Sequence, residues 1–210
     1  MPLDPQAASA VAFLQRIQDR CAGRTQPWSL GTAIFHDDYP IKYDFNYLRI
    51  EKDDPSWDAR AIAREAERLQ APADLKHRKV TAHDGILGAR LAPGFRKLGW
   101  NVSRIVIMVH RGEIPSGGPV PVREASFDEL HSHFVKWDKE DRKSGAEEAK
   151  MLADSMRVVE KETDWRLFVG TIEGEVAGWC ELFSDQGMGQ IENVGTYSRF
   201  RGRGVARSVV

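Results

Sequence analysis

The apolar positions change period several times along the first half of the chain. Val11, Phe13, Leu14 and Ile17 share the spacing of a short amphipathic helix. Gln15 and Arg16 interrupt that stretch and no basic residues precede it, so it lacks the form of a signal peptide. "WSLGTAIFHDD" and "IKYDFNYLRIE" then run as strand-like segments joined by a hairpin turn at "HDDYP". Tyr43, Phe45 and Tyr47 alternate with Asp44 and Asn46, the period of a half-buried strand. "DPSWDARAIAREAERLQAP" reads as a helix capped by Ser56 and closed by Pro72. A short strand "HRKVTAHD", a helix "GILGARLAPGFRKLGW" interrupted or begun near Pro93, and a strongly apolar strand "NVSRIVIMVHRGE" come next. The order over residues 28–113 is β-β-α-β-α-β, a mixed α/β pattern.

"IPSGGPVP" at 114–121 breaks any regular structure and marks a boundary between residues 1–113 and 119–210. Beyond it, "VPVREAS" predicts a strand. Ser126 with Glu129 has the spacing of a capping box for the helix "FDELHSHFVKWDKEDR". "GAEEAKMLADSMRVVEKET" predicts a second helix, with Met151, Leu152, Met156, Val158 and Val159 on one broad face. "WRLFVGTIEGEVAGWCELFSD" reads as two strands around a two-residue "EG" turn, "QGMG" as the next turn and "QIENVGTYS" as a third strand. The order is β-α-α-β-β-β, and the start of a helix ends it.

Composition narrows the function classes. The chain of 210 residues is 41% hydrophobic and 29% charged, the profile of a globular protein. A net charge of −1 provides no global field for nucleic acid or an anionic membrane, and no apolar run reaches the length of a membrane span. Two cysteines far apart, Cys21 and Cys180, form neither a disulfide framework nor a zinc spacing and fit a reducing, cytoplasmic setting. His131 and His133 point to different faces of one helix, so no metal site is expected.

Chemistry concentrates in the last turn, "SRFRGRGVA". The first amides of a helix have no internal partner and carry partial positive charge. Glycines let backbone approach a ligand, and Arg199, Arg201 and Arg203 add charge that suits a diphosphate. There is no Gly-Lys-Ser/Thr, which excludes the ordinary P-loop, and the turn comes after three hairpin strands rather than the first strand of a dinucleotide-binding unit.

The motif Arg201-x-x-Gly204-x-Ala206, in "IENVGTYSRFRGRGVA" after the β-α-α-β-β-β order, resembles the GNAT N-acetyltransferases over about residues 119–210. The resemblance implies an α/β (α+β) fold with a mixed, mostly antiparallel sheet flanked by helices. It implies acetyl transfer from acetyl-CoA, as cosubstrate, to an amine that the sequence does not identify, without a metal. By resemblance, Arg201, Gly202, Arg203, Gly204, Val205 and Ala206 cradle the pyrophosphate, while Val194 and Thr196 offer backbone groups to pantetheine. Glu192 is the candidate base, with Gln190 on the same face and Glu181 on the neighbouring strand.

In that family a helix and further strands come after the turn, whereas here the residues stop at Val210, so the resemblance implies a half-domain incomplete at its C-terminus. "FRKLGWNVSRIVIMV" resembles the ending of such a domain. Residues 1–113 would then hold a degenerate GNAT-like half, in a two-part protein or, less favoured, a permuted single domain. A truncated final helix would expose apolar surface and favour poor solubility or a homodimer. A non-catalytic acyl-CoA-binding or interaction module remains a second reading.

Overall fold

A computed structural model describes residues 5–113, 117–140 and 143–210. The chain divides into two compact units, Met1–Met108 and Val109–Val210. It is an α+β fold with two four-stranded sheets that are mostly antiparallel. Among the described residues no helix is long and apolar enough to cross a membrane.

Unit 1 runs α1 (Pro5–Arg20), β1 (Arg24–Trp28), β2 (Gly31–Phe35), β3 (Tyr47–Ile50), α2 (Ala59–Gln70), β4 (Val80–Ala82) and α3 (Gly85–Lys97). The sheet order is β1-β2-β3-β4, antiparallel except for the β3–β4 pair. Ile62, Ala66 and Leu69 of α2 and Leu87, Leu91 and Phe95 of α3 bury one face each against Trp28, Phe35, Leu48 and Ile50. Helix α1 is tied down by polar contacts: Arg49, 7% exposed, meets Asp19 at 2.6 Å and Glu51 at 2.8 Å.

Five expectations for this half need correction. The connection that contains "HDDYP" does join two antiparallel strands, β2 and β3, but the first expected strand is split by a further hairpin turn at Ser29–Leu30, and Tyr43–Phe45 form a 3-10 turn rather than a strand. The cap of α2 is Asp58, whose carboxylate accepts from the Ala61 amide at 2.7 Å, because Ser56 is already held by Asp54. Pro93 sits inside an unbroken α3 capped by Asp84. The apolar segment at 101–111 forms no strand: Ile105 is 83% and Met108 88% exposed. A strand needs a neighbour for its backbone groups, and the four strands of unit 1 pair among themselves.

Unit 2 runs β5 (Val122–Ala125), α4 (Phe127–Glu140), α5 (Ala146–Asp154), α6 (Met156–Glu162), β6 (Asp164–Ile172), β7 (Glu175–Asp185), β8 (Met188–Thr196) and α7 (Val205–Val209). Its sheet is wholly antiparallel in the order β5-β6-β7-β8. Both hairpin turns hold paired positive-φ residues, Glu173–Gly174 and Gln186–Gly187, the conformation that matches strand twist. Part of the proline- and glycine-rich boundary, residues 114–116, lies outside the described residues.

The expected capping box of α4 is half formed. Ser126 Oγ accepts from the Glu129 amide at 3.3 Å, while the Glu129 carboxylate pairs with Arg123. The expected second helix is two helices broken at Ser155, whose hydroxyl donates to the Leu152 carbonyl at 2.6 Å. Its buried set is Ala149, Ala153, Met156 and Val159, with Met151, Leu152 and Val158 half-buried.

Helices α4 and α5 are also bridged by a polar contact. His131 Nε2 lies 2.7 Å from Asp154 Oδ1, and Lys150 pairs with the other carboxylate oxygen. Partial burial works against the Asp154 charge, but hydrogen bonds from Lys150 and His131 outweigh it and hold the carboxyl below its usual range. Stability from a lowered carboxylate is complete above the unfolded value, about pH 4, and is lost as pH falls through the folded one. Asp154→Asn should therefore lower the melting temperature at pH 7, and the gap from wild type should narrow as pH drops below about 4. Parallel melts at pH 7 and pH 3 check this; an equal gap at both would contradict it.

Candidate functional site

The sheet of unit 2 has two differently dressed faces. Toward α4 point Trp165 and Leu167 of β6, Trp179, Glu181 and Phe183 of β7, and Gln190 and Glu192 of β8, as their cross-strand register requires. Phe134 of α4 stacks on Trp165 at 6.5 Å, and Trp137 meets Trp179 edge-on at 4.9 Å. On the other face, Gly170 and Gly178 are cross-strand partners and leave room for α7. Val205 and Val209 fill that room, and Cys180 Sγ donates to the Val209 carbonyl at 2.7 Å.

β8 is the outer strand, and its register slips by one residue. Trp179 pairs with Gly195 but Glu181 pairs with Glu192, so Asn193 and Val194 both stand opposite Cys180. Asn193 takes φ 47°, which makes this a β-bulge. A bulge bends the strand and re-aims the residues beyond it. Here it separates Glu192 from the last ladder residues, Gly195 and Thr196. No strand covers the outer edge of β8 among the described residues, so backbone groups of an edge strand are presented there.

Glu192 and Glu181 are direct cross-strand partners and so share the face toward α4. Glu181 is 2% exposed and accepts from Trp165 Nε1 at 3.1 Å. Glu192 is half-buried and accepts from Gln190 Nε2, which confirms the shared face expected for those two residues.

The strand leads directly into the turn. Tyr197 still bonds the Ala177 carbonyl through its amide (3.1 Å), and its own carbonyl accepts from the Phe200 amide at 2.8 Å. Gly202 and Gly204 have φ 77° and 79°, the left-handed region that glycine tolerates. They differ in surroundings. A Cβ on Gly202 would meet open space, whereas one on Gly204 would lie 2.7 Å from Pro119. Gly204 is therefore required by a crossing chain as well as by its backbone angle.

The turn's arginines have protein partners. Arg199 pairs with Glu175, Arg203 approaches Glu173 at 3.7 Å, and Arg201 Nε donates to the Thr196 carbonyl at 3.3 Å. Val205 of the expected cradle is a core residue, 2% exposed, so only its backbone is available there. Ala206 is exposed, as are Gly202 and Val194, while Thr196 is half-buried. A concavity of about 390 Å³ lies beside Arg203, walled by residues 119–121 and 171–174. Among the described residues no group of three or more His, Cys, Asp or Glu is placed to hold a metal.

Thus Glu192, Val194, Thr196 and residues 201–206 fall along one continuous path, strand edge to turn to helix start. The bulge at Asn193 and the Tyr197 anchor are the parts that sequence reasoning missed. An Asn-Val-Gly run inside a strand is a faint bulge signal, since Asn and Gly tolerate positive φ.

No protein-family model matches the sequence, and no curated protein matches it. The fold is similar to a crystal structure of a functionally unknown conserved protein from Staphylococcus epidermidis ATCC 12228, with a TM-score of 0.60 at 13% identity, over 89% of this chain and 76% of that one.

Proposed function

We propose that unit 2 binds acetyl-CoA along the β8 edge and the adjoining turn, and transfers the acetyl group to an amine, as a GNAT-type N-acetyltransferase does. The observation that carries this reading is the bulge at Asn193: the outer strand of the sheet is broken beside Glu192 and then enters a turn with two positive-φ glycines and three arginines. An extended pantetheine arm can pair with strand backbone, and a diphosphate suits the amides and charges of the turn. The arginine ion pairs are exposed at the surface, where such pairs are weak and can exchange carboxylate for phosphate.

In this reading the thioester carbonyl lies at the bulge, and the acceptor enters from the α4 face that carries Glu192. The amine nitrogen forms a bond to the carbonyl carbon, the carbon–sulfur bond breaks, and CoA leaves through its sulfur. Glu192 takes the proton that the nitrogen loses. Rate acceleration comes from alignment of amine and thioester and from backbone donors to the carbonyl oxygen.

A non-catalytic acyl-CoA-binding module would use the same turn and have no need of Glu192. Incubation with acetyl-CoA and a panel of small amines and peptides, read by release of the CoA thiol, separates the two. Acceptor-dependent release supports the transferase; binding without release by any acceptor supports the module.

A further inference from the structure

Tyr197 joins three parts of unit 2. Its backbone closes the β7–β8 ladder and opens the turn, while its side chain, 7% exposed, lies against α4. There Trp179 and Trp137 meet its ring at 5.6 and 6.1 Å, and the Lys136 ammonium sits 5.3 Å from the ring centroid. Its hydroxyl is 2.9 Å from His133 Nδ1 and 3.5 Å from the His133 carbonyl. A hydroxyl that donates across the shorter contact makes Nδ1 the acceptor of a neutral imidazole, and the clasp below takes this direction.

We propose that Tyr197 and His133 form a proton-sensitive clasp that holds the start of the 198–204 turn against α4. Tyr197 is a positioning residue here: it acts through the turn's backbone. Protonation of His133 removes the Nδ1 acceptor from the hydroxyl and puts a second positive charge beside Lys136. Among the described residues, Lys136 and Glu129 of α4 are the charged groups that act on His133; Glu129 is engaged by Arg123 of β5, and the turn contributes Tyr197. Burial first, then Lys136, hold the imidazole below its ordinary value, so the clasp is closed at neutral pH and loosens in acid.

The test uses the full chain and needs no ligand. Ring nitrogen and proton resonances of His133 are tracked through pH in wild type and Tyr197→Phe, with amide exchange of residues 198–204. The clasp predicts an unprotonated Nδ1 in the neutral form. It predicts a Tyr197→Phe midpoint higher by about half to one pH unit, since one hydrogen bond to the neutral form is lost. Turn amides should exchange roughly 2- to 10-fold faster in Tyr197→Phe at neutral pH, and in wild type only once His133 is protonated. His133→Gln, which keeps an acceptor but cannot titrate, should hold the turn protected across the range and stands in if Tyr197→Phe fails to fold. A protonated Nδ1 in the neutral form, a midpoint that falls in Tyr197→Phe, or turn exchange that ignores both changes would overturn the clasp.

The consequence for function rests on the proposed acetyl-CoA reading: affinity should fall with the same midpoint. If the cradle reading fails, affinity is absent while the resonance results stand. If the clasp fails, acetyl-CoA binds with no His133 midpoint.

Discussion

Gly178→Ala is expected to destabilise unit 2 by about 2–3 kcal/mol, at the upper end of what overpacking costs. The reason is where the new methyl would go. It would lie 2.4 Å from the Gly195 carbonyl oxygen, 2.8 Å from Val205 Cγ1 and 3.1 Å from Thr196 Oγ1. A flexible side chain could rotate away, but the nearest atom belongs to the backbone of the adjacent strand. Relief requires parting β7 from β8 at its last rungs and lifting α7 from the sheet. For a unit of this size the loss corresponds to a fall in melting temperature of roughly 10 °C or more. Gly189→Ala, in the same strand pair, is the control: its methyl would meet Leu182 Cδ1 at 3.4 Å and the Phe183 carbonyl oxygen at 3.9 Å, ordinary contacts, and should change the melt little. Thermal melts of both variants by circular dichroism decide the matter, and equal melting temperatures would show that α7 does not depend on that glycine.

The second large effect concerns chemistry. If Glu192 takes the proton from the amine, Glu192→Gln removes the acceptor while keeping shape and the contact to Gln190. A general base contributes on the order of 10²–10⁴-fold, so thiol release should fall by about that much at neutral pH. Acetyl-CoA affinity should stay near wild type, because the carboxylate faces α4 and the turn lies beyond the bulge. The residual rate of Glu192→Gln should also lose the rise with pH that titration of a base gives to wild type. A variant with unchanged turnover would assign proton removal to solvent or to another group.

Legibility of the sequence differed sharply between local and non-local features. The three strands 164–196 were readable because each boundary is written locally: "EG" and "QG" supply positive φ at both hairpin turns, and apolar residues fill the strands between. The start of α7 at Gly204–Val205 was readable for the same reason. Residues 105–109 show the opposite. Val and Ile at close spacing favour a strand, but a strand exists only with a partner, and pairing is decided by distant segments. The cap of α2 was misplaced by two residues because Ser56 and Asp58 are both good caps, and the choice is made by Asp54.

The candidate site divides in the same way. The order Glu192, Val194, Thr196 and then the Arg–Gly turn lies in one stretch of chain and is visible there. What those residues meet is not. Glu173 and Glu175, partners of Arg203 and Arg199, are more than twenty positions away and arrive through a hairpin. Pro119 reaches Gly204 across the whole of unit 2. The bulge depends on a mismatch in register between two strands, of which the Asn-Val-Gly run carries only a faint local signal.

The most direct test is calorimetric titration of acetyl-CoA into the full chain, beside Arg201→Glu, with melts to show that both are folded. A cradle at the turn predicts saturable binding by wild type that is weakened at least about tenfold by the charge reversal, the loss expected for one hydrogen bond to a charged group. Desulfo or free CoA should compete, since a cradle at the turn would address the diphosphate rather than the acetyl group. Wild-type protein that is folded yet takes up no acetyl-CoA at millimolar concentration would contradict the cradle, and so would binding that Arg201→Glu leaves unchanged.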